Sequence, residues 1–185
     1  MRIAGGRFKN HPLSALGNTR EIRPTSDKVR QAVFNMLEAR GLVEDAHVLD
    51  AFCGTGALGL EALSRGAKCC TFWDIAQASL KIAKENAALL GADDIAVFVR
   101  KDAAKCQKAE EGQAAFDLVF LDPPYNQGLV SLAMTALSDG SWIAPEAVFV
   151  IELAKGETPD LSALDILQEK LYGDTRILIA AGRKE

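Results

Sequence analysis

The sequence is poor in the residues that build metal or disulfide sites. It has four cysteines, Cys53, Cys69, Cys70 and Cys106, and two histidines, His11 and His47. No two cysteines form a Cys-x-x-Cys pair, so a Cys/His zinc site has no support and no metal is expected. Cys69 and Cys70 are adjacent in a predicted strand, where successive side chains point to opposite faces. Free, mostly buried thiols in a reducing compartment are expected. No run is long and apolar enough to cross a bilayer. The first residues, Met1-Arg2-Ile3-Ala4-Gly5-Gly6, lack the apolar stretch of a secretory signal. These absences predict a soluble, cytoplasmic protein with no membrane partner. Internal repeats, low-complexity tracts and a second core are also missing from the 185 residues. One domain with a small appendage is expected, as a monomer.

What is present is an apolar half and an uneven charge. Apolar residues make up 49% of the chain, ample for one core. The net charge is −4, but residues 1–40 hold eight Lys/Arg against three Asp/Glu, and the remainder carries the acidic excess. A basic end on an acidic body suggests a polyanion partner docking at that end, with a solvated face of ordinary charge scatter as the alternative.

Residues 1–24 read as short strands and loops, punctuated by Gly5-Gly6, Pro12, Gly17 and Pro24. A helix follows, capped by Thr25 or Ser26, with Val29, Val33, Met36 and Leu37 on one face. From residue 46 onward strands and helices alternate. Strands are predicted at 47–52, 68–74, 95–100, 116–121 and 147–153, and helices at 57–65, 77–90 and 128–137. Such alternation indicates a parallel sheet covered on both faces. Residues 164–172 and 175–181, joined by Gly173-Asp174, read as a β-hairpin, which places an antiparallel strand near one edge.

Two motifs carry chemistry. Gly54-Thr55-Gly56-Ala57-Leu58-Gly59 is a G-x-G-x-x-G between a strand and a helix, a loop over which a ligand can approach the backbone. Its default reading is a dinucleotide site, and a mere tight turn is the alternative. Asp74 ends the next strand, where its carboxylate can accept hydrogen bonds from ribose hydroxyls of either a nicotinamide or an adenosylmethionine cofactor. Asp50, just before the loop, would repel a pyrophosphate but could pair with the ammonium of an amino-acid cofactor. Asp102-Ala103 offers either an adenine contact or a helix N-cap. The second motif is Asp122-Pro123-Pro124-Tyr125 at the exit of an apolar strand. Two prolines stiffen the turn and aim its carbonyls, Asp122 can accept from an exocyclic amine, and Tyr125 offers a ring face. A plain proline turn is the alternative.

The segment from Val48 to Gly56 resembles the first cofactor motif of class I S-adenosylmethionine-dependent methyltransferases. Asp122-Pro123-Pro124-Tyr125 is similar to the catalytic motif of those that methylate exocyclic amines of bases. The resemblance extends over Met1 to Lys9, Arg23 to Asn35 and Gly56 to Ala67, and there it points to the RsmD family. These are bacterial enzymes acting on the N2 amine of one guanine in 16S ribosomal RNA of the small subunit. Three positions depart from the family: Cys53 stands where many relatives carry Ala, Trp73 where the strand is usually aliphatic, and Asp74 where Glu is common.

The resemblance implies an α/β, Rossmann-like class I methyltransferase fold. A seven-stranded, mostly parallel sheet would carry an antiparallel edge hairpin, helices on both faces and a small N-terminal β extension. Residues 1–24 would be the basic arm that contacts RNA, and residues 25–185 the methyltransferase domain. S-adenosyl-L-methionine would be the cofactor, leaving as S-adenosyl-L-homocysteine. Its candidate contacts are Asp50, Phe52, Gly54, Thr55, Gly56, Asp74, Ile75, Asp102 and Ala103, with Thr25 near the methionine end. Asp122, Pro123, Pro124 and Tyr125 would be catalytic. Arg2, Arg7, Lys9, Arg20 and Arg23 would hold RNA phosphates, which position the RNA without reading its sequence. Three other readings compete. A DNA adenine-N6 methyltransferase shares the second motif but needs a target-recognition domain for which this chain has no room. A non-catalytic ribosome-assembly factor leaves the intact motifs unused. A nicotinamide-dependent dehydrogenase leaves Asp50 and the proline turn unexplained.

Overall fold

Seven strands form one sheet in the order β3-β2-β1-β4-β5-β7-β6. The computed structural model describes residues 1–15 and 27–183. The expected cap at Thr25 or Ser26, together with Arg20 and Arg23, lies outside the described residues. The strands are β1 His47–Asp50, β2 Cys69–Asp74, β3 Ala96–Arg100, β4 Phe116–Leu121, β5 Ile143–Ala154, β6 Leu164–Tyr172 and β7 Thr175–Gly182. The helices are α1 Asp27–Glu38, α2 Ala57–Ser64, α3 Gln77–Leu89 and α4 Leu129–Asp139. β1 to β5 pair in parallel, while β7 runs antiparallel to both β5 and β6. This is the mostly parallel sheet with an antiparallel edge hairpin that the sequence predicts.

Side-chain alternation along the strands splits the core in two. Val48, Cys70, Phe72, Leu118 and Phe120 pack with Phe34, Leu37, Leu60, Leu80 and Ala83 of α1, α2 and α3. Leu49, Trp73, Val119, Leu121 and Phe149 pack with Val130, Ala133 and Leu137 of α4. Cys70 is buried and Cys69 is partly exposed, as opposite faces require.

Among the described residues, the second face has one α-helix against three on the first, because only a 3₁₀ turn, Ala103–Lys105, links β3 to β4. Aromatic bulk fills the gap. Trp73 meets Trp142 edge-on at 4.8 Å and Phe116 at 6.1 Å, and the Lys101 ammonium lies 4.0 Å from the Trp142 ring centre. That cluster accounts for a tryptophan at a strand position where an aliphatic residue is usual.

Three expectations need correction. Residues 1–15 hold one isolated antiparallel bridge, Arg2 to Pro12, rather than short strands. The loop is closed by Ile3 N–H to His11 O and Asn10 N–H to Ile3 O, but Pro12 has no N–H to extend a ladder. Ile3 and Leu13 are buried in the first core, so the arm shares the core of the domain. The first strand ends at Asp50, two residues early, where the chain turns into the glycine loop. β5 begins at Ile143 rather than Ala147. Its pairing with β4 shifts register around the exposed Pro145, and prolines are tolerated at such irregularities.

Candidate active site

The sheet order reverses between β1 and β4. Both strands hydrogen-bond in parallel, yet β2 and β3 lie beyond β1 while β5 lies beyond β4. Ligands of doubly wound sheets bind in the crevice such a reversal leaves at the carboxyl ends of the strands. The glycine loop leaves β1 there, and Asp122-Pro123-Pro124-Tyr125 leaves β4 beside it.

On the β1 side, Gly54 and Gly56 have φ of +52° and +80°, which a side chain would strain. A Cβ on Gly54 would meet nothing within 4 Å, so the loop backbone is open to a ligand. Gly59 has another task. A Cβ there would lie 2.3 Å from the Phe72 ring, so its absence lets α2 approach the sheet. That approach puts the Gly59 N–H 3.0 Å from Asp50 Oδ2. Asp50 is buried, and burial pushes its carboxyl up to about 7; the Gly59 hydrogen bond opposes the shift and the nearby Asp74 adds to it. Asp74 itself is partly exposed. It accepts from Gly54 N–H at 3.0 Å and from Ala76 N–H at 2.8 Å, so its carboxylate is fixed against the loop. Phe52 and Thr55 are half-buried nearby in the chain, and Ile75 is 64% exposed, an unusual position for a large apolar side chain.

Asp102 accepts from Ala104 N–H at 2.9 Å and caps the 3₁₀ turn. Of its two readings the cap is observed, through Oδ1 alone, and it is compatible with an adenine contact by the same carboxylate. Ala103 is 1% exposed and packs in the second core, so its side chain has almost no surface to offer a ligand. A groove of about 620 Å³ lies beside this turn, lined by Thr71, Trp73, Val97, Val99 and Lys101 as well as Asp102. Asp50, Gly54, Asp74, Asp122 and Tyr125 do not line it.

On the β4 side, Asp122 is half-exposed, Pro123 buried, Pro124 exposed and Tyr125 half-buried. The Tyr125 hydroxyl donates to Glu152 Oε1 at 2.6 Å and lies 3.1 Å from Thr175 Oγ1. Burial and then the Glu152 hydrogen bond push this hydroxyl well above the ordinary tyrosine range, so it stays a donor. Glu152, on β5, is one residue of this site that sequence reasoning missed. Its signal was a lone carboxylate in the apolar run Val148 to Leu153, where a buried charge demands a partner.

Arg2, Arg7 and Lys9 are all exposed on the N-terminal arm, and the Arg7 guanidinium covers the Phe8 ring at 4.5 Å. The arm docks on α2: Glu61 Oε2 accepts from Ala4 N–H at 2.7 Å, and Ser64 Oγ accepts from Phe8 N–H at 2.9 Å. Arg30, one of the eight basic residues of positions 1–40, is fully buried beside Glu61 and adds nothing to the outward charge.

A family model described as "Conserved hypothetical protein 95" matches residues 1–181. Ribosomal RNA small subunit methyltransferase D of Haemophilus influenzae is 33% identical over 177 residues, spanning 94% of this chain and 89% of the relative. Its namesake in Escherichia coli K12 is 36% identical over 152 residues, spanning 82% and 74%. The solved structure of the Escherichia coli protein yhhF superposes with a TM-score of 0.85 at 33% identity, covering 100% of this chain and 99% of that one. An RNA methyltransferase from Salinibacter ruber, solved with S-adenosyl-L-homocysteine, shares the fold at a TM-score of 0.66 and 19% identity, with 88% and 95% covered. The class I methyltransferase architecture and the match along nearly the whole sequence agree, and the chain belongs to the RsmD family of small-subunit ribosomal RNA methyltransferases.

Proposed function

We propose that this protein methylates the exocyclic N2 amine of a guanine in 16S ribosomal RNA, with S-adenosyl-L-methionine as donor. The adjacency of β1 and β4 carries this reading: it sets an open glycine loop beside an amine-accepting turn at one edge of the sheet.

The residues present fit the donor. Open backbone at Gly54, the buried Asp50 carboxylate and the loop-braced Asp74 would take its amino-acid and ribose ends. When bound, its sulfonium supplies an activated methyl carbon, and the S–C bonding pair leaves on sulfur as the N–C bond forms. The chain's own task is positioning and charge complementarity. The guanine N2 lone pair is delocalised into the ring and is a poor nucleophile. Asp122 accepts one amine hydrogen and the Pro123 carbonyl the other, which turns the lone pair toward the methyl group. Asp122 also takes the proton released by the new ammonium. Tyr125 stacks on the base, its ring held at the hydroxyl end by Glu152. A base paired inside a helix is out of reach of this geometry, so the target is flipped out or unpaired. Arg2, Arg7 and Lys9 hold the phosphates of the RNA.

The test is Asp122→Ala. Transfer to unmethylated small ribosomal subunits should fall by roughly 10²- to 10⁴-fold, the range of a positioned proton acceptor, while S-adenosyl-L-homocysteine binding persists. Nucleoside mass spectrometry should find N2-methylguanine as product. Unchanged turnover, or a methylated adenine in DNA, would overturn the proposal.

A further inference from the structure

Asn86 sits on the inward face of α3 and is fully buried. Asparagine is a weak helix former, and a buried carboxamide is costly unless every polar atom is bonded. Here all its bonds go to distant backbone. Oδ1 accepts from Ser14 N–H at 2.8 Å; Nδ2 donates to Ser14 O at 3.1 Å and to Thr55 O at 2.9 Å. The reverse amide orientation would set Nδ2 against an N–H and Oδ1 against two carbonyls, so these three partners fix the carboxamide.

The partners join two segments with separate tasks. Thr55 lies between the positive-φ residues Gly54 and Gly56, where the backbone has the widest choice of conformation. Ser14 is at the end of the N-terminal loop, one residue after the buried Leu13. The other end of that loop docks on Glu61 and Ser64 of α2, the helix that starts at the glycine loop. The arm is thus tied to both helices that flank the loop. At Gly6, with φ +72°, a Cβ would stand 1.9 Å from Ser64 O, so the arm lies directly on α2.

We propose that Asn86 is a positioning residue that couples occupancy of the glycine loop to placement of the basic arm, so that cofactor and RNA each strengthen binding of the other. This rests on the reading of the loop as the cofactor site and of the arm as the RNA contact. A ligand on the loop selects the backbone arrangement in which the Thr55 carbonyl faces Asn86. The carboxamide is then held in the one orientation that grips both the N–H and the C=O of Ser14. Linkage makes the effect reciprocal: the factor by which one ligand tightens the other is the same in both directions.

The experiment measures affinity for unmethylated small ribosomal subunits with and without saturating S-adenosyl-L-homocysteine, and the converse. Wild-type protein should show about fivefold or greater tightening in each direction, the lower range of typical couplings. Asn86→Ala should bind each ligand alone yet reduce that factor to near one. Should Asn86→Ala fail to fold, Ser14→Pro removes the N–H on the arm side and leaves the helix untouched. It should lower the factor in the same way. An unchanged factor in the variants, or none in wild type, overturns the coupling. Wild-type protein that binds neither ligand overturns the proposed function itself, and the coupling with it.

Discussion

The Tyr125 hydroxyl donates a 2.6 Å hydrogen bond to Glu152, a buried carboxylate 27 residues along the chain. The proline turn is therefore braced from inside the sheet, not only by its own stiffness. Tyr125→Phe keeps the ring and removes the bond. It should cost about 1–3 kcal/mol in urea unfolding, the range for leaving a buried acceptor short of a partner. Transfer should survive at a reduced rate. Tyr125→Ala also loses the stacking face and should lower transfer much further. Equal activity of the two variants would remove the ring from the mechanism.

Asp50 gives a pH dependence. Its carboxyl is pushed up to about 7 in the folded protein, against about 3.9 in an unfolded chain. The folded protein keeps the proton over a range where the unfolded chain has lost it. Stability from this group is therefore full at low pH, falls between about pH 4 and about pH 7, and is level above. On the proposed reading, an ammonium group beside Asp50 would favour the ionised form, so cofactor binding would release the proton. Affinity for S-adenosyl-L-homocysteine should rise as pH increases through about 7 and then level off. Calorimetry should show this, and Asp50→Asn should flatten it.

Glu61 holds the arm through charge. Its carboxylate, itself buried, takes the Arg30 Nε–H at 3.2 Å, the Arg65 Nε–H at 2.7 Å and the Ala4 N–H at 2.7 Å, and both guanidinium side chains are buried. Glu61→Gln takes the buried anion from two guanidinium groups and leaves them only the part-exposed carboxylates of Asp27, 2.9 Å from Arg30, and Glu38, 2.7 Å from Arg65. The expected loss is about 3–5 kcal/mol, the cost of breaking a buried pair from one side. Limited proteolysis should also cut at Arg2 and Arg7 sooner than in wild type. A loss below about 1 kcal/mol would show that Asp27 and Glu38 suffice to hold Arg30 and Arg65.

Arg7 and Lys9 are exposed on the arm, and among the described residues neither pairs with a carboxylate, so their charge points outward. Replacing both by Gln should weaken RNA binding and lower the slope of log affinity against log salt by about 2, one per phosphate contact. The thermal midpoint should stay put. An unchanged slope would place the RNA elsewhere on the surface.

The sheet was legible because its signals are local. β4 matches the expected 116–121 residue for residue, since Gln113 to Ala115 and the prolines bound an apolar run. The hairpin of β6 and β7 is announced by Gly173-Asp174 between two strand-like stretches. The two motifs were legible for the same reason, and strand order then brought them together. Glu61, Asn86, Arg30 and Glu152 were hidden because their meaning lies in partners 27 to 72 residues away. On a helix, a Glu or an Arg looks like part of a solvated face until a third element covers it. Asp102 shows the reverse: both of its readings were visible in the chain, and the geometry of Ala104 N–H establishes the cap.

Seventy residues separate the β1 and β4 ends in sequence, yet in space the two loops leave neighbouring strands. Their roots are one ladder spacing apart, about 4.8 Å. That gap is a constant of backbone hydrogen bonding and owes nothing to any side chain. Everything inserted between the two motifs, β2, β3 and their helices, extends the sheet away from β1 on the far side. The chain can therefore lengthen, shorten or repack there, as Trp73 and the missing helix before β4 illustrate, while the distance across which a group must pass stays the same.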